Sequence, residues 1–196
     1  MDKIPTEQIK KLRDKTGVSI MQCRKALEDS KGDMEKAIVL LRRKSAEAAD
    51  KKNDRKLNAG AVASYIHGKG SVGSMVELFS ETDFVSNNAE FQALAKDIAM
   101  HITAANPQYV SWSDISEDVK KKTEDAFMSE VKGKLENIQK KIIEGKLKSY
   151  FSERILMEQP FVKNQEIIVK DLIQSAVQKF GERIEIGRIA RFSIRN

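Results

Sequence analysis

The chain has 196 residues, 40% hydrophobic and 33% charged, with 35 Lys and Arg against 29 Asp and Glu. Such a composition sustains a real core beneath a heavily solvated surface, and only 3 prolines and 10 glycines argue against a fibrous or disordered chain. No apolar run approaches the roughly 20 residues of a membrane span, Met1–Pro5 lacks an apolar signal core, and the single cysteine, Cys23, excludes an internal disulfide framework. The expectation is a cytoplasmic protein with a small domain joined to a medium one, without metal or cofactor.

The first 45 residues predict three short helices. Thr6 caps the first, with Ile9 and Leu12 inward and Gly17 just past its end. Ser19 caps the second, where Ile20, Cys23 and Leu27 share a face, and Gly32 ends it. Asp33 caps the third, in which Met34, Ala37, Ile38 and Leu41 recur at helical spacing. Stripes this narrow make a very small core, which suits a docking module better than a catalytic scaffold. Residues 46–59 carry almost no bulky apolar side chain and read as a charged linker, helical in its first half where alanines cluster.

Beyond the linker the period changes to two. Val62, Ser64 and Ile66 alternate with Ala63, Tyr65 and His67, Gly68-Lys69-Gly70 supplies a turn, and Val72, Ser74, Val76 and Leu78 form the next face. A third strand is predicted near the carboxy terminus, with Ile184, Ile186, Ala190, Phe192 and Ile194 on one face, interrupted by Arg188. Three antiparallel strands cannot close a barrel, so helices must cover one face. Asn87 and Glu90, at capping-box spacing, open a helix carrying Phe91, Leu94, Ala95, Ile98 and Ile102, stopped by Pro107. Residues 168–180 predict another, ended by Gly181. Residues from about 113 to 153 are charge-rich and periodic in two pieces, about Asp114–Val131 and Leu135–Phe151, with Gly133 between them, and so predict a helical hairpin. The fold class expected is α+β: a three-helix module over 1–45, a linker over 46–59, and a core over 60–196. That core is a three-stranded antiparallel sheet packed with helices and carrying the hairpin as an insertion.

Reactive constellations are sparse. Gly68-Lys69-Gly70-Ser71 lacks phosphate-loop spacing and sits between strands rather than before a helix. Cys23 lies on an apolar stripe, the place of a buried structural thiol. His67 and His101 are isolated in sequence, and Glu81 with Asp83 makes only a weak acid/base pair. Charge is uneven: residues 1–56 hold 16 bases against 10 acids, and residues 57–112 hold 2 against 5. A solvated surface accounts for most of this, and a basic module facing an acidic protein is the functional alternative; aromatics for base stacking are not interleaved with the bases. One peptide stands out, Ser80-Glu81-Thr82-Asp83-Phe84-Val85-Ser86-Asn87. It joins a strand to a helix and sets an acid beside a large aromatic. Two readings fit: Phe84 staples the helix start while Asp83 caps a turn, or Phe84 is an aromatic anchor that enters a partner.

At this peptide the chain resembles the bacterial translation elongation factor Ts family. Glu81-Thr82-Asp83-Phe84-Val85 is similar to the family's central motif, and Leu12-Arg13-Asp14-Lys15-Thr16-Gly17 with Cys23-Arg24-Lys25-Ala26-Leu27 resembles its amino-terminal signature. Ile98-Ala99-Met100-His101-Ile102 and Gln159-Pro160-Phe161-Val162 are two further blocks. The resemblance covers nearly the entire chain and is to the short form, with a single core unit. It implies a ubiquitin-associated-like amino-terminal module and non-enzymatic guanine-nucleotide exchange on elongation factor Tu, with no direct nucleic-acid contact. It also implies a homodimer, in which two chains supply the surface that a duplicated core provides alone; the uncovered sheet face is the place expected for that contact. By the same resemblance Thr82, Asp83, Phe84 and Val85 dislocate the partner's magnesium ion so that GDP leaves and GTP binds, Arg13, Ile20 and Met21 grip its nucleotide-binding domain, and His101 lies near the same contact. Two rivals stay in view: a passive helical adaptor that binds without releasing nucleotide, and an RNA-binding factor suggested by an isoelectric point near 9.3.

Overall fold

The computed structural model describes residues 4–131 and 136–194; the expected hairpin turn at Gly133, the helix start at Leu135, and Arg195 lie outside them. Helices α1 (Thr6–Thr16), α2 (Ile20–Asp29) and α3 (Met34–Asp50) form the amino-terminal module. Ser19 Oγ accepts the Gln22 N–H and the Asp33 carboxylate accepts that of Lys36, so each side chain satisfies an amide that the helix cannot. Pro5 rather than Thr6 occupies the cap position of α1, because the Pro5 carbonyl already accepts the Gln8 and Ile9 N–H groups. Gly17 ends it in the left-handed conformation, φ 68°, and donates to the Arg13 carbonyl. The module's own core is Ile9, Leu12, Val18, Cys23, Ala26, Leu27, Ala37 and Leu41. Helix α3 continues to Asp50, so residues 46–50 are helical; the buried Ser45 hydroxyl bonds to Gln178 and Ala49 packs against the larger core.

The sheet has the order β1–β2–β5, with β1 (Ala59–His67), β2 (Val72–Ser80) and β5 (Ile184–Ser193), all antiparallel. Between β2 and β5 come α4 (Asp83–Ser86), α5 (Ala89–Ala105), α6 (Glu117–Glu130), α7 (Glu136–Ser152), β3 (Pro160–Phe161), β4 (Asn164–Ile168) and α8 (Val169–Phe180). The inner sheet face presents Ala61, Ala63 and Tyr65 from β1, Val76 and Leu78 from β2, and Ile184 and Ile186 from β5. Against it pack Phe91, Ala95, Ile98, Ala99 and Ile102 of α5 and Val169, Ile173, Ala176 and Val177 of α8. Alanines on β1 let α5 approach closely, and the buried Ser74 hydroxyl donates to the Ala99 carbonyl at 2.6 Å, so no polar atom is stranded there. Helices α6 and α7 pack on each other, and at their base Ile115, Phe151 and Ile155 form a separate buried cluster.

Three expectations about the core need correction. Asn88, not Asn87, caps α5, accepting the Glu90 N–H at 2.8 Å; Asn87 is taken up by the short α4, whose Asp83 carbonyl accepts its N–H. A second, two-stranded sheet pairs β3 with β4, too short for alternation to reveal. The third correction concerns β5. Val76 pairs with Ile189 and Leu78 with Ile186, so Glu77 alone opposes both Gly187 and Arg188, a β-bulge. The extra residue reverses the strand's parity. Ile184 and Ile186 face the helices before it and Ile189 after it, while Ala190, Phe192 and Ile194, expected on the core face, are exposed, Phe192 to 73% and Ile194 to 84%. Arg188 interrupts no inner face: its N–H and guanidinium bind the Glu77 carboxylate at the bulge and hold that carboxyl below its usual range.

The bulge also seats Phe79. An added Cβ at Gly187 would lie 2.4 Å from Phe79 Cε2 and 3.0 Å from Glu77 Oε2, and one at Gly60 would lie 2.6 Å from the Leu78 carbonyl oxygen. Gly187→Ala should therefore cost about 1–3 kcal/mol through overpacking, read as a lower urea midpoint at unchanged slope; an unchanged midpoint would show that Phe79 moves aside freely.

Candidate partner-binding site

Strand β2 ends at Ser80, and the chain passes through Glu81 and an extended Thr82, φ −131° and ψ 156°, into the single turn of α4. Buried Val85 and Ser86 fix which way this turn faces: Val85 enters the core below, and the Ser86 carbonyl accepts from Gln92 Nε2 at 2.6 Å. Asp83 and Phe84 are thereby directed outward. Phe84 is 86% exposed, so it does not staple the helix start. A phenyl ring held in water on a short, pinned turn is what an anchor needs: contact area gained on binding with little chain entropy left to lose. Thr82 is held from below, its N–H and hydroxyl both donating to the Glu182 carboxylate at 3.0 and 2.6 Å. Glu81 is not half of an acid/base pair: it accepts the Arg183 N–H at 2.5 Å and pairs with Arg55 at 3.2 Å, a junction of segments about a hundred residues apart that no local motif announces.

On the amino-terminal module Arg13, Ile20 and Met21 are all exposed, Met21 to 82%. Ile20 does not share the buried stripe of Cys23 and Leu27; it is the first residue of α2 and faces solvent. Cys23 is buried, its thiol directed to the Val18 carbonyl at 3.5 Å, and burial pushes its pKa up, away from the thiolate a nucleophile requires. Residues Lys15 and Arg42 bind the core through Glu166 and Asp171, so the module sits on β4 and α8.

His101 has a different setting. It is 1% exposed; its Nδ1 accepts the Val162 N–H at 3.2 Å and its Nε2–H donates to Gln159 Oε1 at 3.0 Å. These two bonds fix the neutral tautomer and tie α5 to the residues on either side of β3. The ring is committed inside the chain and is not part of the exposed Asp83–Phe84 surface. Burial lowers its pKa below the ordinary 6.5. The unfolded chain therefore binds this proton more readily than the fold, so the contribution is complete above pH 6.5 and is lost as pH falls below it toward the folded-state value. Urea titrations should show stability declining from about pH 6.5 downward, and His101→Gln should flatten that limb; an equal slope in both proteins would contradict it.

Among the described residues, no group of three or more His, Cys, Asp or Glu is placed to hold a metal ion, and no helix is long and apolar enough to cross a membrane. The fold is a helical module docked on an α+β core that exposes an acid and an aromatic on a pinned turn. The family model described as "Elongation factor TS" matches residues 6–196. The chain is 47% identical to elongation factor Ts of Thermodesulfovibrio yellowstonii over 192 residues, covering 97% of this chain and 96% of that protein. It is 45% identical to that of Carboxydothermus hydrogenoformans (97% and 89% covered) and 42% to that of Thermosipho melanesiensis (97% and 98%). The chain belongs to the elongation factor Ts family, and so to the factors of protein synthesis.

Proposed function

We propose that this chain is the cytoplasmic guanine-nucleotide exchange factor of elongation factor Tu, and that it works by inserting Phe84 beside the partner's magnesium and phosphate pocket. The single observation that carries this is the 86% exposure of Phe84 on a turn whose neighbours on both sides are fixed. Phe84 separates elements that surround the bound magnesium; Asp83 holds the displaced geometry through polar contacts, and the ion and diphosphate leave. Arg13, Ile20 and Met21 grip the nucleotide-binding domain from the amino-terminal module. His101 contributes by fixing the core beneath, since its ring is already hydrogen-bonded on both nitrogens.

No bond of substrate is made or broken. Exchange requires only that the factor bind the nucleotide-free partner more tightly than the loaded one, and by linkage it then weakens nucleotide by the same factor. Each tenfold of weakening needs about 1.4 kcal/mol of contact made only in the open state, within reach of one buried phenyl ring.

The dimer expected from the family resemblance has a natural seat on the outer sheet face. Ile66, Gly73 and Phe192 form one cross-strand row and Ser64, Met75 and Ala190 the next, with Val62 and Ile194 beside them. Val62, Ile66, Met75, Phe192 and Ile194 are all exposed, and Glu77, which pairs with Val62 across the sheet, is held by Arg188. A second copy related by a two-fold axis would bring the same uncharged rows together.

The test is release of a fluorescent diphosphate from elongation factor Tu. Amounts of this chain well below those of the partner should accelerate release of the entire bound pool. Binding without acceleration would favour a passive adaptor instead.

A further inference from the structure

We propose that Glu182 is a positioning residue for exchange, and that with Glu81 it sets the direction in which Phe84 leaves the sheet. The proposal rests on Phe84 being the working contact. Ser80 and Ile184 are the last paired residues of β2 and β5, and beyond them the two backbones stop sharing ladder hydrogen bonds. Side chains then take over. The Glu182 carboxylate accepts the Thr82 N–H at 3.0 Å and the Thr82 hydroxyl at 2.6 Å, using both its oxygens. In the opposite sense Glu81 Oε1 accepts the Arg183 N–H at 2.5 Å. Two carboxylates therefore stand where backbone carbonyls would have continued the ladder, each reaching from one chain to the other's amide.

The surroundings aim both acids. Gly181, at φ 73°, ends α8 and turns the chain so that Glu182 meets the strand end. Arg55 caps the outer side of Glu81 at 3.2 Å, and the Arg183 guanidinium donates to the Arg55 carbonyl at 2.7 Å and binds Glu185. Thr82 is thus fixed at its amide and its side chain one residue before α4 begins, and the Ser80 hydroxyl donates to its carbonyl at 3.1 Å. Phe84 follows two residues later, between this restraint and the buried Val85 and Ser86. Charge-assisted bonds of this kind are the stronger hydrogen bonds of proteins, and in water-exposed positions their use lies in geometry more than in stability. Without Glu182 the turn keeps its Val85 root and the Ser80 bond to the Thr82 carbonyl but loses both bonds that orient the Thr82 amide and hydroxyl, so the ring enters the partner from a broader set of directions and the ordering is left to the exchange step.

The experiment uses the full-length chain and measures diphosphate release from elongation factor Tu across factor concentrations. Glu182→Ala is expected to lower the maximal release rate about tenfold while the half-saturating concentration stays within about twofold, because initial capture belongs to the amino-terminal module. Its melting temperature should stay within about 2 °C of the parent. Thr82→Val, which removes only the hydroxyl donor, should slow release by about threefold, and the double variant should be no slower than Glu182→Ala alone. Glu182→Gln, which keeps one acceptor oxygen, should recover part of the rate. A maximal rate unchanged in Glu182→Ala, independent multiplication of the two losses, or a loss matched by a fall in melting temperature would each overturn the positioning role. Phe84→Ala, run alongside, separates the two ideas. If it slows release while Glu182→Ala does not, only the positioning role fails; if it too leaves release unchanged, the wedge reading fails and the positioning role falls with it.

Discussion

Phe84→Ala is expected to slow diphosphate release from elongation factor Tu by at least about thirtyfold, the equivalent of a 2 kcal/mol anchor, without destabilising the factor. The two halves of that expectation have one cause. A ring 86% exposed makes almost no contact at home, so truncating it removes no core packing. The same ring supplies the largest apolar area that the turn can offer a partner. Asp83→Ala should cost about tenfold, since a surface carboxylate that becomes desolvated in a complex is worth roughly one charge-assisted hydrogen bond. Val85→Ala makes the contrasting control: Val85 is buried in the core cluster, so its truncation should lower stability by about 1–3 kcal/mol and release only secondarily. Equal melting temperatures for the parent and Phe84→Ala, with release slowed only in the latter, would separate the working contact from its support.

The second large effect concerns self-association. Phe192→Asp should leave a folded chain that sediments at about 22 kDa, and the parent should sediment at twice that mass. Phe192 lies on the outer face at the end of β5, 73% exposed, so a carboxylate is harmless in the lone chain. At a two-fold interface the carboxylate appears twice and is buried against Ile66 and its neighbours. Burying an unpaired charge costs several kcal/mol for each ion, enough to weaken pairing by about a thousandfold or more. A parent chain that sediments as a monomer, or a variant that stays dimeric, would remove the sheet face from consideration.

Why the outer face carries those residues explains much about how far the sequence could be read. Capping and glycine signals were legible because they are local: Ser19, Asp33, Gly17 and Gly181 act where their chemistry predicts. The α+β architecture and the pairing of β1 with β2 followed from alternation and a glycine turn. Alternation counted across β5, however, placed Phe192 in the core, because period-two counting presumes one residue opposite one residue. A single extra residue at Gly187–Arg188 inverts every position after it, and nothing in the order of side chains marks the slip except a glycine. At the site, the Thr82–Val85 peptide was legible from composition, and the outward direction of Phe84 was not. Its direction depends on Val85 finding the core and on Glu182 finding Thr82 from a hundred residues away. His101 looks isolated in sequence because its partners, Gln159 and Val162, flank the two-residue β3 about sixty residues away, which alternation cannot detect.

If exchange is differential binding, it must be reciprocal. Affinity of the factor for elongation factor Tu should be measured twice, nucleotide-free and with saturating diphosphate and magnesium, for the parent and for Phe84→Ala. The parent is predicted to lose affinity on addition of nucleotide by the same factor by which it weakens nucleotide binding, and Phe84→Ala to lose much less. Equal affinity of the parent for the empty and the loaded partner would contradict the account.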